Sequence, residues 1–110
     1  MQIWDEQALL ERCRQKPARA RNMVWFFLED APKLLQNLER HNHDFISIKS
    51  NAHELKGLSS NLGAWRLQDA SFDLETAAYR HNQDLCDQQM LKVRDEFSIL
   101  LTKLKGFLLK

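Results

Sequence analysis

Apolar residues recur along most of the chain at alternating steps of three and four, the spacing that lines one face of a helix. The longest stripe is Ala20, Val24, Phe27, Ala31, Leu34 and Leu38, and it predicts a helix over residues 18–41. Pro17 suits the first turn of that helix, where its missing N–H costs nothing. Pro32 lies off the stripe, so a bend rather than a stop is expected there. A second stripe, Phe45, Ile48, Ala52, Leu55, Ser59 and Leu62, predicts a helix over 45–62. Asp44 is its expected N-cap and Gly63 its left-handed C-terminal cap. Leu67, Ala70, Leu74 and Ala77 or Ala78 mark a further helix over 65–81. Met90, Val93, Phe97, Leu100, Leu104 and Phe107 mark the last, over 87–108. It follows a polar link from Asn82 to Asp87, in which Asp84 or Asp87 is the expected cap. A short helix over 5–15, capped by Asp5 and apolar at Leu9, Leu10 and Cys13, precedes them all.

No strand-like alternation competes with these stripes. Four amphipathic helices on short links predict an all-α fold, an antiparallel four-helix bundle with a short N-terminal capping helix. Only three glycines and two prolines interrupt the chain, which favours long helices over a strand-rich fold. A length of 110 residues suits one domain, 1–110, with a single core. Trp25, Phe26 and Trp65 fall partly off the stripes; burial against the first helix or a bundle end is expected for them, with an exposed docking patch as the alternative.

Charge and cysteine content narrow the function classes. A formal net charge of +1 gives no general call for nucleic acid. Arg12, Arg14, Lys16, Arg19 and Arg21 form a local basic run, read as a solvated face. Cys13 and Cys86 match no metal or redox spacing and are expected to be reduced and partly buried, which fits a cytoplasmic protein. The longest apolar run, Met23 to Leu28, is too short to span a bilayer, so no membrane contact by this domain is expected.

The chemistry gathers on the third predicted helix. His53 points roughly 140° away from the centre of that helix's apolar stripe. Lys49, Lys56, Gly57 and Ser60 lie at i−4, i+3, i+4 and i+7 from it and share its face. Gly57 costs about 1 kcal/mol relative to alanine within a helix, and on the solvent side packing does not explain it. Its effect is to open a path to the imidazole for a macromolecule. The two lysines suit an anion such as a phosphoryl group. The chain has no Gly-rich nucleotide loop or metal cluster, so it lacks the parts of a kinase that binds ATP by itself. What remains is a histidine that accepts a phosphoryl group from a partner's acyl phosphate and passes it on. His53-Glu54 starts a zinc-protease-like pattern, but Gly57 stands where the second histidine would be, and no metal site is expected.

The stretch His53, Leu55, Lys56, Gly57, Leu62, Gly63, Ala64 and Leu67 resembles the signature of histidine-containing phosphotransfer (HPt) domains of bacterial multistep phosphorelays. The run from Phe27 to Pro32 is similar to the family's second helix, so the resemblance covers most of the chain. It implies a four-helix bundle with His53 as phosphoacceptor through Nε2, Lys56 steadying the phosphate and Gly57 admitting a partner. It also implies response-regulator receiver domains as partners, with Mg²⁺ supplied by the receiver and no cofactor held by this chain. The domain would act as a monomer, alone or as the cytoplasmic C-terminal part of a membrane-anchored hybrid sensor kinase. Lys49 and Ser60 are flanking candidates for partner binding. Where the family often has a glutamine facing the histidine, this chain has Glu75. Glu75 could accept from the Nδ1–H and fix the tautomer, repel the phosphate, or simply be a solvated glutamate. The rival functional class is a helical module that docks a signalling partner through the same face without being phosphorylated.

Overall fold

Five helices follow one another: α1 Glu6–Arg12, α2 Pro17–Arg40, α3 Phe45–Leu62, α4 Trp65–Tyr79 and α5 Gln83–Leu108. The structure, a computed structural model, describes all 110 residues. The four longer helices form the bundle, with α1 laid against α2 and α3 at one end. The predicted stripes are its interior. Ala20, Val24, Phe27, Ala31, Leu34 and Leu38 of α2 are all buried, as are Ile48, Ala52, Leu55 and Leu62 of α3. Ser59, at a stripe position of α3, is buried as well and donates its hydroxyl to the Leu55 carbonyl at 2.7 Å. That back-bond satisfies the one polar group on the stripe.

Several boundaries differ from the sequence expectation, each for a local reason. α5 begins at Gln83, four residues early, because Asn82 rather than Asp84 or Asp87 supplies the cap: its side chain accepts from Leu85 N at 3.1 Å. The expected polar link is thereby the helix's first turn. α1 stops at Arg12 because Arg14 and Gln15 take left-handed backbone angles (φ 55° and 59°), and α4 stops at Tyr79 before His81 does the same (φ 54°). The His81 ring then stacks on Phe45, which is half-buried, with centroids 4.9 Å apart. α2 runs through Pro32 without interruption. The expectation of burial fails for Trp25 and Phe26, which are 56% and 64% exposed, on the side of α2 opposite its stripe. Trp65 is half-buried, its indole N–H reaching Asp5 Oδ2 at 3.2 Å.

The turn between α3 and α4 is the tightest in the bundle. Gly63 takes φ 84°, and its N–H bonds back to the last turn of α3. The carbonyls left over at the end of α3 are taken by the N-terminal segment: Asp5 N donates to Gly63 O at 2.9 Å and the Trp4 indole donates to Leu62 O at 2.8 Å. Asp5 also caps α1 through Ala8 N at 3.0 Å, so one residue ties the capping helix to the turn. No other residue type fits at 63. A left-handed backbone costs an ordinary side chain about 1–2 kcal/mol, and a Cβ there would sit 2.7 Å from the Asp5 carbonyl oxygen. Gly63→Ala is therefore expected to lower the unfolding free energy by about 2 kcal/mol or more. Urea denaturation followed by circular dichroism measures this; an unchanged midpoint would mean that the turn does not hold α1 in place.

Candidate functional site

Leaving the turn antiparallel and side by side, α3 and α4 bring together three pairs of side chains. Lys49 Nζ lies over the Tyr79 ring, 5.2 Å from its centroid. One turn further along α3, His53 Nδ1 is 2.7 Å from Glu75 Oε2. Next, Lys56 Nζ donates to the other oxygen of the same carboxylate, Glu75 Oε1, at 2.8 Å, and lies 5.3 Å from the Phe72 centroid. Steps of four and three on α3 meet equal steps on α4, so each pair repeats the register of the one before.

The electrostatics of the centre pair follow from burial. The His53 side chain is 66% exposed, whereas that of Glu75 is 16% exposed. Burial pushes the Glu75 carboxyl up, but hydrogen bonds and positive charge from Lys56 and His53 outweigh it and hold the group below its ordinary value. Glu75 is therefore ionised near neutrality and has only acceptors to offer. The proton in the His53–Glu75 contact must belong to Nδ1. In the neutral ring Nε2 then carries the free lone pair, on the side turned away from the carboxylate. A nucleophilic nitrogen held in one tautomer and open to solvent is the chemical capability of the site.

Gly57 is exposed on α3, one turn beyond His53, and a Cβ built there meets nothing within 4 Å. The free protein gains nothing from its lacking a side chain. Gly106 near the end of α5 has equal room, so vacancy alone does not single out Gly57; its place beside the imidazole does. Lys49 shares an open hollow with Ile46, Ser50, His53, Glu54 and Glu75. Ser60 lies two turns along the helix, half-buried, its carbonyl accepting from the Gly63 N–H. Phe72, Tyr79 and Ser50 were not singled out by sequence reasoning. The first two were findable as the residues at i−3 and i+4 from Glu75 on an antiparallel neighbour.

A helical bundle that presents one histidine on an open face, with lysines beside it, is the architecture of a histidine phosphotransfer domain. The chain belongs to that family: residues 22–105 match the Hpt domain. Histidine-containing phosphotransfer protein 5 of Arabidopsis thaliana is 33% identical over 88 residues, which cover 76% of this chain and 56% of the plant protein. The chain thus spans little more than half the length of that relative. Among solved structures, a histidine-containing phosphotransfer protein from maize superposes with a TM-score of 0.84 at 25% identity, covering 96% of this chain and 83% of the other. Histidine-containing phosphotransfer protein B of Pseudomonas aeruginosa has the same fold, with a TM-score of 0.87 at 24% identity over 94% of this chain and 92% of the other.

The Glu75 bridge has a pH signature. Because its folded pKa is lowered, its contribution to stability is whole above the ordinary carboxylate value of 4.5 and is lost as pH falls through the lowered folded value. The wild type is expected to lose stability relative to Glu75→Gln as pH falls through that acid window. Urea midpoints of both proteins across the range decide this; parallel profiles throughout would mean that the bridge is not formed in solution.

Proposed function

We propose that this chain is a phosphorelay intermediate. It accepts a phosphoryl group on Nε2 of His53 from a receiver-domain aspartyl phosphate and passes it to the aspartate of another receiver. The observation that carries the reading is the Nδ1 contact to Glu75 at 2.7 Å, on a ring that is otherwise open. Membership of the Hpt domain family supports it.

The lone pair on Nε2 attacks phosphorus, the acyl P–O bond breaks, and its electron pair leaves on the donor's carboxylate. The ring becomes cationic with its proton still on Nδ1, paired with the Glu75 carboxylate. On the way out the acceptor's carboxylate attacks, the N–P bond breaks and the pair returns to Nε2. No proton changes hands in either direction, so the site works without a general base of its own. The transfer depends on positioning and on charge around phosphorus. On this reading the receiver brings the Mg²⁺ and its carboxylates, and this chain holds no cofactor and is no kinase. Gly57 leaves space for the receiver's loops beside His53. The chain works as a monomer in the cytoplasm, and its phosphoryl donor is a response regulator or the receiver of a hybrid sensor kinase. No helix is long and apolar enough to cross a membrane.

Incubation with a phosphorylated receiver and Mg²⁺ is expected to give an acid-labile, base-stable label that His53→Gln abolishes. Gly57→Ala is expected to raise stability by about 0.5–1 kcal/mol, as for any exposed helical glycine, and a bulkier residue there to slow labelling while the fold survives. Labelling of His53→Gln at the wild-type rate, or none of the wild type by any receiver of its organism, overturns the proposal.

A further inference from the structure

Two lysines share the face of His53, but they are held differently. Lys56 is committed to Glu75: its ammonium donates to Oε1 at 2.8 Å, lies over Phe72, and its side chain is only 27% exposed. The carboxylate that holds it also holds Nδ1, the nitrogen that does not react. Nε2 points away from this pair. Lys49 has no carboxylate partner; its ammonium rests over Tyr79, a contact easily given up, and it lines the open hollow with His53. The other charged groups around that hollow are Glu54 on α3 and Glu75 on α4. From α2, Asp30 and Lys33 line the neighbouring groove with Glu54 and Leu58.

Resting on the phosphotransfer reading, we infer that Lys49 is the cation that meets the phosphoryl group on Nε2, while Lys56 is a positioning residue that acts from behind through Glu75. The presence of an acid at position 75 divides the labour. It captures the lysine three residues beyond the histidine, and the cation four residues before it is left to neutralise the transferred group. A cation facing phosphorus lowers the barrier by offsetting charge on the phosphoryl oxygens, whereas one bound to Glu75 keeps the carboxylate ionised and aimed at Nδ1.

Phosphoramidate loads histidine without any receiver: Nε2 attacks phosphorus, the P–N bond breaks and ammonia leaves. It therefore separates this assignment from the identity or existence of a receiver partner. Loading of the folded chain is followed by ³¹P NMR, with His53→Gln identifying the His53 signal against His41, His43 and His81. Lys49→Ala is expected to slow loading of His53 about tenfold, a modest factor because the cation is exposed and screened. It should also raise the pH midpoint at which the phosphoryl signal titrates, with Lys49→Arg restoring both. Lys56→Ala should leave that midpoint in place and instead raise the titration midpoint of the Glu75 carboxyl, read by ¹³C NMR, which Lys49→Ala should not move. If Lys56→Ala moves the phosphoryl midpoint as much as Lys49→Ala or more, or if Lys49→Ala moves neither loading nor midpoint, the assignment is wrong. Failure of the wild type to exchange phosphate with receivers, with these effects intact, would count against the relay and not against the lysines.

Discussion

The register between α3 and α4 is the constraint on which the site depends, and a single left-handed residue sets it. Gly63 turns the chain so abruptly that the two helices leave it as near mirror images about Ala64. Lys49 and Tyr79, His53 and Glu75, and Lys56 and Phe72 each stand at equal distances in sequence on either side of that alanine. A bulged or longer turn would shift the pairing by a residue and rotate Glu75 away from Nδ1. The turn is itself secured from outside the bundle. Trp4 and Asp5 take the carbonyls that α3 leaves unpaired, and the capping helix thereby contributes to the geometry of a histidine three turns away.

Within that frame the carboxylate does two things at once. One oxygen fixes the tautomer of an exposed ring and the other immobilises a lysine, at the cost of partly burying an acid between helices. Hydrogen bonds from Lys56 and His53, with the charge of the Lys56 ammonium, outweigh that cost and hold the Glu75 carboxyl below its ordinary value. A glutamine could accept from Nδ1–H with its carbonyl, but it would hold no charge opposite the cationic ring formed on phosphorylation and would leave Lys56 free. Glu75 thus ties proton position and charge balance to one side chain.

The bundle was legible because its helices are long and their stripes regular: the α2 stripe is buried residue for residue. Boundaries were less so. Arg14, Gln15 and His81 end helices in left-handed conformations without a glycine to announce them, and Asn82 outcompeted two aspartates as a cap because it stands before the first apolar residues of α5, Leu85 and Cys86. Trp25 and Phe26, already off the stripe, were expected to be covered by the first helix or a bundle end, but they remain exposed. At the site, the shared face of His53, Lys56 and Gly57 follows from spacing along one helix. The contact of Glu75 with His53 does not. It depends on which helices are neighbours and on the register of the Gly63 turn, and neither can be read within one segment.

The claim that Glu75 holds the proton on Nδ1 and leaves Nε2 free is tested most directly by the ring nitrogens themselves. A long-range ¹H–¹⁵N spectrum of the neutral His53 imidazole, at mildly alkaline pH, distinguishes a protonated nitrogen from one bearing a lone pair. The structure predicts a protonated Nδ1 and a lone pair on Nε2, lost in Glu75→Ala in favour of a mixture. A wild-type ring protonated at Nε2 would contradict it.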